Sequence, residues 1–325
     1  MKLASILNGR GDILGFETRT GRVAELASAM VLSGYPQSAA PADMIALIEA
    51  GPDHWARVAR AVAAALDAPD DELVVHEIDQ VTWRPPVRRP SKIVCLALNN
   101  SANKARILKG PQHPAYFVKP WSALIGSGDN VLCRPEYGRV HPEPELAVVI
   151  GRKAKDVAAE DALGHIFGYA VHNDLTSPTM RDDDTFQYRA IHPKPDGSSG
   201  VVYVESWVSY PGRYKSADTF SALGPWLATV DEVPDPHALR VRCSHNGKLV
   251  TEDTTANLTF KTAEVIAFVS RYMTLLPGDV ISMGTALAAS PTGGAVQNID
   301  LNRMGGVVTV EIEGLGELSN GVAWA

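Results

Sequence analysis

The chain has 325 residues, 45% hydrophobic and 21% charged, a composition that fits a globular enzyme of one large domain or two unequal ones. A net charge of −7 gives nucleic acid no electrostatic footing, and no apolar run reaches the roughly 18 residues that span a bilayer. Cys95, Cys133 and Cys243 are odd in number and far apart, so they read as buried thiols in a reducing compartment. With no signal-peptide core at the start, the expectation is a cytoplasmic protein with neither a membrane nor a nucleic-acid partner.

In chain order, Leu3 to Leu7, the Asn8-Gly9 turn signal and Ile13 to Phe16 predict a hairpin. Arg10-Gly11-Asp12 is read as its turn rather than as an adhesion tripeptide. Asp43 to Ala50 and His54 to Leu66 have helical spacing, with Asp43 and Asp53 placed as N-caps. Pro85, Pro86 and Pro90 exclude helix and mark a boundary. Residues 1–90 are therefore expected to form a small N-terminal α/β domain, and residues 91–325 the main domain. Lys92 to Leu98 is the next buried strand. Residues 175–214 read as a long polar connection, a candidate lid. Beyond them, Asn246-Gly247 signals a hairpin between Arg240–Ser244 and Lys248–Val250. Thr262 to Leu276 has helical periodicity, and Gly305 to Glu313 is a last strand beside Leu318. No internal repeat, phosphate-binding loop or dinucleotide fingerprint is present.

The stretch that carries chemistry is His141-Pro-Glu-Pro-Glu-Leu-Ala-Val-Val-Ile-Gly151. Leu146 to Ile150 is short, β-branched and closed by glycine, so it predicts a buried strand. Glu143 and Glu145, two apart at its mouth, point to the same side. Like charges in that position need neutralising, and a hard divalent cation does it with oxygen ligands. Two solvated glutamates are the plain alternative. Phe167 to His172 predicts a second strand, and Asp174 at its end offers a third oxygen.

These pieces, followed by Lys215-Ser-x-Asp-Thr-Phe-x-x-Leu-Gly-Pro-Trp226, Pro277-Gly-Asp-Val-Ile-x-x-Gly-Thr285 and a terminal Val-x-Val-Glu-Ile-Glu-Gly-Leu-Gly, resemble the fumarylacetoacetate hydrolase superfamily over roughly residues 92–322. The resemblance implies an α+β fold whose catalytic domain is a mixed β-roll, and a homodimer formed through that domain. It implies Mg²⁺ or Mn²⁺, with Ca²⁺ a further candidate, on Glu143, Glu145 and Asp174. It also implies a small-molecule substrate, a 2-oxo acid or 1,3-dicarbonyl, processed through a metal-stabilised enolate. Lys215 matches the family lysine, and a nearby cation would depress its pKa for proton transfer. Thr285 matches a substrate-binding threonine, although Ala286 follows where proline is usual.

The sequence departs from the family at Asn103 and Arg106, where hydrolases carry a His–Glu dyad that activates water. Asn cannot act as a base and Arg stays charged, so both are assigned to substrate binding, Arg106 to a substrate carboxylate. His113 or His192 is the alternative base. Hydrolysis of an acylpyruvate-type C–C bond is the leading expectation. Tautomerisation or isomerisation, decarboxylation and sugar-acid dehydration stay open, as does a non-catalytic homologue that binds a metabolite.

Overall fold

The computed structural model describes residues 1–9, 11–100, 107–286 and 295–325. The chain opens with β1 (Lys2–Asn8) and β2 (Gly11–Glu17), the expected hairpin, in register from Leu3 opposite Phe16 to Asn8 opposite Gly11. After β3 (Val23–Glu25) come helices Leu26–Leu32, Met44–Glu49 and Pro52–Asp67, then short β4 (Val75–His76) and β5 (Thr82–Arg84). The Asp43 carboxylate accepts from the Ala46 N–H, the expected cap, whereas the third helix starts on Pro52 after Gly51, two residues earlier than Asp53 implied.

The remaining strands are β6 (Ile93–Ala97), β7 (Ala115–Lys119), β8 (Leu124–Ile125), β9 (Asn130–Cys133), β10 (Pro144–Ile150), β11 (Ile166–Asn173), β12 (Thr185–Pro193), β13 (Val201–Ser209), β14 (Ser221–Thr229), β15 (Arg240–His245), β16 (Lys248–Thr254), β17 (Val280–Ser282), β18 (Val307–Ile312) and β19 (Gly316–Trp324). Among the described residues the main sheet has twelve strands, in the order β4-β3-β2-β1-β14-β11-β10-β17-β6-β7, with β5 on β1 and β8 on β14. Only β6–β17 and β8–β14 pair in parallel within it, so the sheet is mixed and not doubly wound. A second sheet runs β16-β15-β18-β19-β9 and contains the hairpin set by Asn246-Gly247.

All seven residues of β10 are buried, and their alternation serves two cores. Leu146, Val148 and Ile150 face the core shared with the second sheet and helix Thr262–Tyr272. Ala147 and Val149 face the core beneath the N-terminal helices. Each of these larger side chains contributes about 1.5–3 kcal/mol by burial, so a carboxylate at Val148 would unfold the centre of the sheet. The N-terminal segment contains both strands and helices, and its strands continue this sheet. β1 hydrogen-bonds to β14, with Leu3 opposite Leu227, and Phe16, Met30, Leu47 and Val62 share a core with Val149. The three cysteines are buried free thiols.

Two expectations change. Helix Thr262–Tyr272 ends four residues early, before the Pro277-Gly278 turn that leads into β17, and its N-cap is Lys261, whose N–H is accepted by Glu264 at 2.8 Å. Residues 175–214 are not a structureless lid: helix Pro178–Asp183 leads into β12 and β13, a two-stranded arm, and helix Arg213–Ser216 returns the chain. Both arms of this hairpin are rich in β-branched and aromatic residues around a Pro195-Asp196-Gly197 turn, which favours strands.

Candidate active site

Antiparallel pairing of β10 with β11 brings the acidic residues together. The register sets Glu145 opposite His172 and Pro144 opposite Asn173, so Asp174 falls level with Glu143. The Asp174 N–H donates to the Glu143 carbonyl and the Glu143 N–H to Asn173 Oδ1, both at 2.9 Å. One oxygen of each of Glu143, Glu145 and Asp174 lies within 4.8 Å of the others, the sequence-expected trio. Glu145 and Asp174 are buried and Glu143 is half-buried.

Two ammonium groups answer this charge. Lys215 Nζ lies 2.7 Å from both Glu143 Oε2 and Asp174 Oδ2, and over the Phe117 ring. Burial alone would drive its pKa down, but Asp174, Glu143 and Glu145 outweigh burial and hold it well above the usual lysine range. In this arrangement Lys215 is a firm cation, the reverse of the depression expected from sequence. Lys119, the last residue of β7, is fully buried. It donates to Asp174 Oδ1, to the Phe220 carbonyl at 2.6 Å and to the Leu175 carbonyl at 3.3 Å. Burial would raise the Asp174 pKa, yet Lys119 and Lys215 hold it well below the carboxylate range.

Among the described residues, no ammonium pairs with Glu145. Ser282 Oγ donates to Glu145 Oε2, the Gly284 N–H donates to the same oxygen at 3.0 Å, and Thr285 Oγ1 lies 3.0 Å from Oε1. These donors favour the carboxylate, but burial and the charges of Asp174 and Glu143 prevail and push its pKa up to about 8. Behind it sits His172, buried, with Nδ1 2.7 Å from Ser282 Oγ and Nε2 2.8 Å from Ser221 Oγ. Burial lowers its pKa to about 3, so the ring is neutral. Ser282 gives its one proton to Glu145, so it accepts from His172 Nδ1–H, and Nε2 accepts from Ser221. The hydrogen-bond chain thus fixes the tautomer. Nothing in the sequence singled out His172 except its place two residues before Asp174.

Glu143, Lys215 and Thr285 open onto a cavity of about 960 Å³. Tyr116 and Phe117 give it an apolar wall, and Arg139, Arg181 and Lys109 supply cations. His141 also lines it, with Nε2 3.9 Å from Glu143 Oε1, and burial lowers its pKa. The bases weighed from sequence are elsewhere: His113 stacks on Phe268 with centroids 5.0 Å apart, and His192 is exposed on β12. Asn103 and Arg106 lie outside the described residues.

A mixed sheet gathers three carboxylates and two lysines at one end of β10 and β11, beside a cavity with polar and apolar walls, and the carboxylates form an acidic trio that could hold a metal ion. The chain belongs to the fumarylacetoacetate hydrolase family: the model of its C-terminal domain matches residues 92–323. A mitochondrial oxaloacetate tautomerase of Bos taurus is 35% identical over 284 residues, 87% of this chain and 80% of that protein. A mitochondrial oxaloacetate tautomerase of Homo sapiens is 34% identical over the same shares. Maleylpyruvate hydrolase from Sphingobium sp. SYK-6, in complex with manganese(II) ion and pyruvate, superposes over 100% of both chains with a TM-score of 0.71 and 28% identity. A Mycobacterium smegmatis 5-carboxymethyl-2-hydroxymuconate delta-isomerase gives 0.65 and 26% over 100% of this chain and 99% of that one. Among the described residues, no helix is long and apolar enough to cross a membrane.

Proposed function

We propose that the protein catalyses keto–enol tautomerisation of a small 2-oxo acid bearing a second carboxylate, with Mg²⁺ or Mn²⁺ held by Glu143, Glu145 and Asp174. The observation that carries this reading is the pairing of an intact acidic trio and Lys215 with Asn103 and Arg106 at the positions of the family's water-activating dyad. Enolisation needs charge stabilisation and a proton shuttle, but no activated water. The donor set fits a hard cation, since all three groups offer carboxylate oxygen. Such an ion, when bound, stabilises negative charge on the enolate oxygen.

The chain's own residues do the rest. The Lys215 ammonium, fixed by two carboxylates, donates a hydrogen bond toward the developing enolate oxygen. His141 faces the same cavity and is placed to take and return the proton of the carbon beside the carbonyl. Thr285 orients the proximal carboxylate, and Arg139 and Arg181 attract the distal one. Phe117 and Tyr116 exclude water from one side.

Acylpyruvate-type hydrolysis is the second reading, favoured by the full-length likeness to the maleylpyruvate hydrolase that holds manganese and pyruvate. One experiment separates the two. Oxaloacetate and an acylpyruvate are each incubated with protein and Mn²⁺ in D₂O. The proposal expects faster loss of the oxaloacetate enol absorbance and deuterium at C3, with no carbon–carbon cleavage. Stoichiometric release of pyruvate from the acylpyruvate, without catalysed exchange, would establish hydrolysis instead.

A further inference from the structure

Four neighbouring strands of the main sheet, β14, β11, β10 and β17, each place one polar side chain on the same buried face. Glu145 stands directly opposite His172, and residues opposite each other in an antiparallel pair share a face. His172 stands opposite Leu223, and Ala147 opposite Ser282. Ser221 and Glu145, each two residues before those positions, therefore reach His172 and Ser282 along diagonals of the sheet. Ser221, His172, Glu145 and Ser282 are each at most 1% exposed. A histidine buried this deeply, on a strand otherwise built from residues such as Phe167, Ala170 and Val171, is costly unless both ring nitrogens are satisfied.

They are satisfied, and the donors all run one way. Ser221 donates to His172 Nε2 at 2.8 Å, Nδ1–H donates to Ser282 Oγ at 2.7 Å, and Ser282 donates to Glu145 Oε2. Hydrogen bonds aligned head to tail polarise one another, most strongly when the last acceptor is a carboxylate. Glu145 Oε2 also takes the Gly284 N–H at 3.0 Å. Its Oε1 shares the Thr285 hydroxyl with Glu143 Oε2, at 3.0 and 3.1 Å.

We propose that Ser221, His172 and Ser282 are positioning residues that act as one unit, holding Glu145 by Oε2 and leaving Oε1 as its ligand atom for the cation. Ser221, which bonds to the imidazole and not to a carboxylate, then sets part of the metal affinity from a distance. This rests on the metal reading above and on none of the reaction chemistry. The direction of the chain depends on its far end. The Ser221 proton keeps Nε2 an acceptor, which puts the ring's own proton on Nδ1. Without that hydroxyl the ring proton is free to move to Nε2, and a bare Nδ1 then draws the Ser282 proton away from Glu145. The carboxylate loses its hold although its own neighbours are unchanged. A histidine that merely fills space in the core has no such dependence.

The test reads the imidazole and the metal separately, neither through turnover. In nitrogen-15 NMR of the metal-free protein, wild-type His172, assigned through its backbone resonances, is expected wholly as the Nδ1–H tautomer. Ser221→Ala, folded by circular dichroism, is expected to move it toward Nε2–H and to weaken Mn²⁺ binding about 10-fold, read by electron paramagnetic resonance of free Mn²⁺. Once Ser282→Ala has cut the chain, adding Ser221→Ala is expected to change the affinity by less than about twofold, since the two serines act through one path. An Nε2–H ring in the wild type, which needs no variant to be seen, would overturn the proposal. So would wild-type Mn²⁺ affinity in Ser221→Ala, or losses that simply multiply in the double variant. These three outcomes leave the metal reading standing, whereas a wild type that takes up no Mn²⁺ would overturn both.

Discussion

The affinity for the divalent cation should depend steeply on pH, for a reason visible in the charge count. Three carboxylates, Glu143, Glu145 and Asp174, face two ammoniums, Lys119 and Lys215, which pair with Glu143 and Asp174. Among the described residues Glu145 is the carboxylate left over, and its pKa stands at about 8. A cation that takes Glu145 as a ligand must displace its proton. With a pKa near 8, roughly 1% of Glu145 is ionised at pH 6 and about half at pH 8, so Mn²⁺ affinity should rise about 50-fold across that range. Near pH 6, binding should release about one proton per ion. The sign for stability follows from the same raised pKa. The proton on Glu145 stabilises the metal-free fold fully below the ordinary carboxylate pKa, and that contribution is lost as pH rises through about 8. Calorimetric titration in buffers of different ionisation enthalpy measures both affinity and proton release. An affinity that is flat from pH 6 to 8, with no buffer-dependent heat, would refute the reasoning.

Lys119→Met breaks a buried ion pair and orphans two carbonyls, so it should cost about 4 kcal/mol, or roughly 6 °C in Tm for a chain of this size. Because the folded Asp174 pKa is lowered, the penalty should be full at neutral pH and shrink as acid protonates Asp174, which urea unfolding at several pH values would show. Ser282→Ala removes a donor from Glu145 and leaves His172 Nδ1–H unpartnered; stability should fall by about 1–3 kcal/mol and Mn²⁺ affinity by about 10–100-fold, read by electron paramagnetic resonance of free Mn²⁺. Glu143→Gln should keep the fold, with unchanged circular dichroism, while abolishing turnover and most Mn²⁺ binding.

The acidic trio was legible because its logic is local: two glutamates at one strand mouth and an aspartate at the end of another, brought level by one register. The hairpins at Asn8-Gly9 and Asn246-Gly247 were legible for the same reason. Lys119 was not. Its partners Asp174 and Phe220 lie far along the chain, and a lysine buried by such contacts looks like any other lysine in sequence. His172 was hidden because its role depends on Ser221 and Ser282, contributed by β14 and β17. The arm was missed for a different reason. Its alternating aromatic and β-branched residues were present, but they were averaged with the polar turns around them into one long loop. The cavity histidine, His141, was in the key stretch all along, and only the structure shows which imidazole reaches the cavity.

The pairing of β1 with β14 also shapes how the protein is made. Leu3 meets Leu227, so β1 leaves the ribosome more than two hundred codons ahead of the strand it pairs with. At about 5–20 residues per second, that wait is roughly 10–45 s. Throughout it, β1 has β2 and later β5 as partners, while its apolar side chains and its edge toward β14 remain uncovered. Nascent chains of this protein should therefore be chaperone clients until translation passes residue 229. The strand that ends the wait also provides Ser221, one of the two hydroxyls that hold the imidazole behind Glu145, and the other, Ser282, follows later on β17.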